Sequence, residues 1–156
     1  RVLFRSWNTD RAFVLDSLTG FSDMASQLVV GGKPLKAQGE YQIAQNMIRF
    51  ILDKLVKECH CTFVMTAHLA REHDEITGGT TLMVKSVGKA LAPDIPIYFS
   101  DMIHTVRAGD RYTWSTAGSN IMVKSRNVGV KAGMEPSFKP LIDAWKARGG
   151  VISETK

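Results

Sequence analysis

The apolar positions change period several times along the chain, and each change marks an element. Ala12-Phe13-Val14-Leu15 is a short continuous apolar run closed by Asp16 and Ser17. A run of this length, with branched and aromatic residues, predicts a buried strand over residues 12–17. The period then dissolves among Gly20, Gly31, Gly32, Pro34 and Gly39. Residues 20–40 are therefore expected to be mostly loop, with a short helix near Met24 to Val29. Next, Ile43, Ala44, Met47, Ile48, Ile51, Leu52, Leu55 and Val56 recur at three- and four-residue spacing, with Gln45, Arg49, Asp53, Lys54 and Lys57 between them. That pattern predicts a long helix with the apolar set inward and the polar set outward. Thr62 to Ala67 is again short, apolar and β-prone, and predicts a second buried strand. Strand, helix and strand form a βαβ unit, whose two strands are expected to be parallel with a right-handed crossover.

Residues 69–90 are polar, with Gly78, Gly79, Thr80 and Thr81 at their centre, and read as a long mobile loop of functional kind. Tyr98 to Val106 and Arg111 to Thr116 read as strands joined by a turn at Ala108-Gly109-Asp110, with Ile121 to Lys124 as a third strand. Ser137 to Ala147 reads as a terminal helix, with Ser137 as its cap and Gly149-Gly150 as its stop. The expected class is α/β, a parallel βαβ followed by a β-meander and a terminal helix, in a single domain over 1–156. The 156 residues, 44% hydrophobic and 22% charged, suit one domain of a globular protein.

No apolar run approaches the length of a membrane span, so no membrane partner is expected, and no signal peptide pattern is seen. Cys59 and Cys61 are the only cysteines, which fits a reducing compartment. The net charge of +5 permits a polyanionic partner without requiring one.

Several groupings carry candidate chemistry. Asp16, with Ser17 behind it, stands at the carboxyl end of a strand, where open α/β sheets bind ligands. It suits a water-mediated magnesium site, although a strand-ending aspartate in a turn explains the same residues. Thr66-Ala67-His68 ends the next strand, and His68 is placed to contact a terminal phosphate. A histidine satisfied by backbone is the plain alternative. Lys124 and Arg126 stand two apart on a strand and so point the same way. They suit phosphate neutralisation across a subunit boundary, against the commoner case of solvated strand charges. Lys33, Lys36, Arg71, Lys85 and Lys89 lie on glycine-containing loops and could follow a nucleic-acid backbone; loop solvation explains them equally. Cys59-His60-Cys61 lacks the spacing of a tetrahedral zinc site and reads as structural thiols.

A phosphate-cradling G-x-x-x-x-G-K-[ST] loop is not found. Gly32-Lys33-Pro34 places Gln27 at the leading glycine and proline at the hydroxyl position, and Gly88-Lys89-Ala90 places Met83 at the leading glycine.

The order of these segments resembles the RecA-like ATPases. Phe13-Val14-Leu15-Asp16-Ser17 is similar to their Walker B strand, and Phe63-Val64-Met65-Thr66-Ala67-His68 to their sensor strand. Lys124-Ser125-Arg126 is similar to the K-x-R pair that RecA-like recombinases and hexameric helicases present across the subunit interface. With Gly88-Lys89-Ala90-Leu91-Ala92-Pro93, the set most resembles phage-encoded RecA-like NTP-binding proteins of single-strand annealing and recombination. The resemblance covers roughly residues 12 to 145. It implies ATP and magnesium as cofactors, with Asp16 supporting magnesium, Ser17 beside the nucleotide and His68 sensing the γ-phosphate. Lys124 and Arg126 would act in trans within a homo-oligomer, and the basic loops would contact single-stranded DNA. It also implies a cytoplasmic setting in a bacterial or phage-infected cell. The family's P-loop lies before its Walker B strand, so the chain is expected to be the carboxyl-terminal part of such a domain, with unpaired sheet edges. A replicative helicase or packaging motor, and a non-hydrolysing DNA- or protein-binding module, remain the alternatives.

Overall fold

The structure, a computed structural model, describes residues 6–31, 37–73 and 78–154. Lys33 and Lys36 lie outside the described residues. The protein is mixed α/β and divides into two compact units. The first runs to Ala70, resumes over Val84–Tyr98 and returns at Ile152; the second holds Arg71–Met83 and Phe99–Val151.

In the first unit the chain order is β1 (Ala12–Leu15), α1 (Leu18–Val30), α2 (Gln38–Glu58) and β2 (Thr62–Met65), followed later by a 3-10 helix at Ala92–Tyr98. β1 and β2 pair in parallel, Ala12 opposite Thr62 through Leu15 opposite Met65. Phe13 and Phe63 stack across the pair with ring centroids 5.7 Å apart. The strands are not buried as expected. Val14 is 57% exposed, and β1 alternates between exposed and half-buried positions because this sheet has two strands and only one packed face.

The stretch expected to be mostly loop is largely helical. α1 fills Leu18–Val30, capped by Ser17, whose Oγ accepts from the Gly20 amide at 3.3 Å. The periodicity was masked because the buried face carries hydroxyl residues: Thr19, Ser22 and Ser26 are buried beside Leu18, Ala25 and Val30. Met24 and Leu28 meanwhile face solvent, at 51% and 72% exposure. Small hydroxyl side chains let two helices approach closely, but hydropathy scores them as surface.

α2 follows the expected spacing, with the Glu40 carboxylate accepting from the Ala37 amide at 2.9 Å in its first turn. Ala44, Ile48, Leu52 and Leu55 are buried against α1 and the 3-10 helix, with Leu91 and Ile95 completing the core. Ile43 and Val56, expected inward, are exposed, and Gln45, expected outward, is 4% exposed. Gln45 is buried because its amide has a partner: Nε2 donates to the Val87 carbonyl at 3.1 Å.

The segment expected to be one long loop forms two strands instead, β3 (Leu69–His73) and β4 (Thr80–Val84), paired in a two-stranded sheet. Alternating side chains in Leu69–His73 and the β-branched pair Thr80-Thr81 support extended backbone despite the polarity. In the second unit β5 (Asp101–Met102) precedes β6 (His104–Ala108) and β7 (Arg111–Ser115), and the last two form the expected antiparallel hairpin. Gly109 supplies its turn with a φ of 62°, a region that disfavours side chains. The third strand departs from a meander. β8 (Lys124–Ser125) pairs with β5 rather than β7, while Ile121 bridges to Leu82. α3 (Lys139–Ala147) closes the unit, with Ser137 Oγ accepting from the Lys139 amide at 3.2 Å. Among the described residues, no helix is long and apolar enough to cross a membrane.

Candidate functional site

Equal register in β1 and β2 decides what faces what at their carboxyl ends. Leu15 pairs with Met65, so the next residues, Asp16 and Thr66, emerge side by side. Thr66 Oγ1 donates to Asp16 Oδ1. The Thr66 amide donates to the Leu15 carbonyl at 3.1 Å, and its carbonyl accepts from the Leu18 amide at 2.8 Å. The turn after Asp16 is thus fastened to the end of β2, and the carboxylate stays exposed. The Asp16–Ser17 peptide is cis. Ser17 spends its hydroxyl on capping α1.

One residue further into α1, Thr19 is buried and its hydroxyl bonds in two directions. Thr19 Oγ1 accepts from the His68 amide at 3.2 Å and donates to the Lys85 carbonyl at 3.3 Å. The Lys85 amide in turn donates to the His68 carbonyl at 2.7 Å. His68 and Lys85 flank the segment that contains β3 and β4, so Thr19 clamps that segment at its neck. The side chains of His68 and Lys85 remain exposed.

The stretch after Lys85 is anchored on α2. Beside the Gln45–Val87 bond, Gly88 has a φ of 66°, and a Cβ there would collide with Gln45 Nε2. Arg49 donates to Asp94 Oδ2 from Nε at 3.0 Å and Nη2 at 2.7 Å, and from Nη2 to the Ala90 carbonyl at 3.2 Å. Leu91 is wholly buried and Lys89 exposed, so Gly88 to Pro93 is a core anchor with one cation turned outward.

Lys124 and Arg126 belong to the second unit, where both are exposed while Ser125 between them is half-buried. Their turn is held by Asp101. Its Oδ1 accepts from the Arg126 amide at 3.0 Å, the Asn127 amide at 3.0 Å and Ser125 Oγ at 3.3 Å, and its Oδ2 from Asn127 Nδ2. Arg71 is exposed on β3 in the same unit.

Asp16, Ser17, His68 and Lys85 are therefore brought to one edge, with Lys85 entering through its backbone. Sequence reasoning passed over Thr19 and Asp101, and it named Thr66 only as part of the strand that delivers His68. Thr66 was legible in principle, since it stands one residue past its strand as Asp16 does. Thr19 and Asp101 carried no signal, because their partners lie 49 and 25 residues away respectively.

An exposed carboxylate beside a hydroxyl offers hard oxygen donors of a single net charge. This suits magnesium, which keeps several waters and needs only one or two carboxylates together with phosphate oxygens. Among the described residues, no group of three or more His, Cys, Asp and Glu side chains converges to hold a metal. Comparison with protein-family models, with curated proteins and with solved structures found no match.

Proposed function

We propose that the chain is part of a RecA-like ATPase of phage type that acts on single-stranded DNA in recombination or annealing. The observation that carries this reading is the Asp16–Thr66 pair at the shared carboxyl end of two parallel strands joined through helices. Ligands of open α/β sheets bind at that edge, and nucleotide hydrolysis there depends on positioning and charge stabilisation.

In this reading Asp16 would hold magnesium through water, and Thr66 fixes the rotamer of the carboxylate. Magnesium would supply charge neutralisation at the phosphates. Ser17 starts the helix beside the nucleotide, and His68 stands where the loss of a terminal phosphate would be felt. Thr19 supports this sensing role because it ties the His68 backbone to Lys85. A shift at His68 would reach both ends of the β3–β4 segment, which carries Arg71 and borders Lys85 and Lys89. Those cations would follow the DNA backbone. Lys124 and Arg126, flanking the turn that Asp101 fastens at Arg126 and Asn127, would complete the site of a neighbouring copy in a homo-oligomer.

The test is ATP hydrolysis by the intact gene product. Asp16→Ala and Arg126→Ala are each expected to lower kcat by about 100-fold or more, in the range of lost charge stabilisation. Mixing the two inactive proteins should restore part of the activity, because one subunit supplies Asp16 and its neighbour Arg126. Full activity in both variants would sink the assignment. For DNA, Arg71→Ala and Lys89→Ala should each reduce the salt slope of binding by about one.

A further inference from the structure

The connection between α2 and β2 holds the two cysteines, Cys59 at the helix C-cap and Cys61 just before the strand. Cys59 Sγ lies 3.1 Å from Cys61 Sγ. The two thiols differ in access, for Cys59 is half-buried and Cys61 only 8% exposed. We propose that Cys59 and Cys61 form an oxidisable dithiol, a modification site that closes to a reversible intramolecular disulfide by exchange with a small-molecule disulfide of the glutathione type.

Access orders the chemistry. The Cys59 thiolate attacks one sulfur of the small disulfide, forming a mixed disulfide at residue 59 and expelling one small thiolate. The Cys61 thiol then gives its proton to solvent. Its thiolate attacks Cys59 Sγ, and the second small thiolate leaves. Two protein thiols are oxidised, one small disulfide is reduced to two thiols, and the two expelled thiolates take up the protons. The second step is intramolecular between sulfurs already in contact, so the mixed disulfide should not accumulate. Closure would join the end of α2 to the start of β2, the strand that carries Thr66 to Asp16.

The rise in the Cys61 pKa supports the same order. Burial, the hydrogen bond shared with Cys59 and the charge of the Cys59 thiolate push the Cys61 thiol up to about 11, while its own backbone and that of Phe13 offset part of the rise. Such a thiol is a poor first nucleophile and serves better as the resolving one. Capping Cys59 as a mixed disulfide removes its charge and eases the ionisation of Cys61.

The experiment treats the chain with glutathione disulfide at neutral pH, blocks remaining thiols under denaturing conditions and weighs the product. The expected product has lost two hydrogens, retains no glutathione, has no thiol left to block, and returns to the starting mass with dithiothreitol. Cys61→Ser should stop with one glutathione on Cys59, and Cys59→Ser should stay unmodified. A wild-type product that keeps one or two glutathiones, links two chains, or stays fully reduced would overturn the proposal. The wild-type result decides on its own, whatever the variants do to folding.

Discussion

The two units are held together by different means. Among the described residues every buried apolar side chain belongs to the first unit, from Leu18 through Ile48 and Leu52 to Ile95. The buried residues of the second unit are Ser115 and Thr116. There, Thr116 Oγ1 donates to the Gly129 carbonyl at 2.6 Å and accepts from the Lys131 amide at 3.0 Å, while Ser115 Oγ donates to the Ala117 carbonyl at 2.9 Å. Asp101 fastens the Lys124 turn in the same way. The first unit is a packed core, whose stability follows buried area. The second is a set of short strands pinned by side-chain hydrogen bonds, each of modest net worth but costly when half removed. In the first unit, candidate chemistry sits on the rim of rigid packing. In the second, one carboxylate, Asp101, fixes the turn that carries Arg126.

The sharpest way to break this contrast is truncation. Leu52→Ala should lower unfolding stability by about 2–5 kcal/mol, read from urea transitions, since it leaves a cavity between α1 and α2. Leu141→Ala, at a half-buried position on α3, should cost less than half as much. Equal losses would erase the distinction.

Next in size, Thr116→Val keeps the shape but strands the Gly129 carbonyl and the Lys131 amide, at about 1–3 kcal/mol. Hydrogen exchange should accelerate around β7 and leave α2 unchanged. Thr19→Val should cost about 1 kcal/mol and speed exchange at the His68 and Lys85 amides, opening the neck of the β3–β4 segment without melting the core.

The smallest effect concerns Cys61, whose thiol rises from 9.0 to about 11 in the folded chain. The folded protein keeps this proton to higher pH than the unfolded chain. The associated stability is present below about pH 9 and is lost as pH rises through about 11. Thermal melts should decline over that window, and Cys61→Ala should flatten the decline.

Parts of this protein were legible because the signal is local. The three- and four-residue spacing of Ala44, Ile48, Leu52 and Leu55 reports a helix wherever its partner lies. The short runs over residues 12–17 and Thr62 to Ala67 and the turn at Gly109 are equally local. α1 was legible only as a short helix near Met24 to Val29, because Thr19, Ser22 and Ser26 are polar yet buried and Met24 and Leu28 apolar yet exposed. Their placement depends on the neighbour that α1 meets. The β3–β4 strands were hidden by their polarity, and β8 pairs with β5 across more than twenty residues of intervening hairpin.

The sequence by itself determined the long helix between two short strands and the strand ends that carry Asp16 and Thr66, since strand length and apolar period need no tertiary information. Only the tertiary structure decided that Thr66 rather than His68 turns its side chain to Asp16. It also decided that Gln45 is buried, that Thr19 clamps His68 to Lys85 and that Asp101 holds Arg126. A polar group is buried or aligned only when a partner from a distant segment satisfies its hydrogen bonds, and no local pattern records where that partner is.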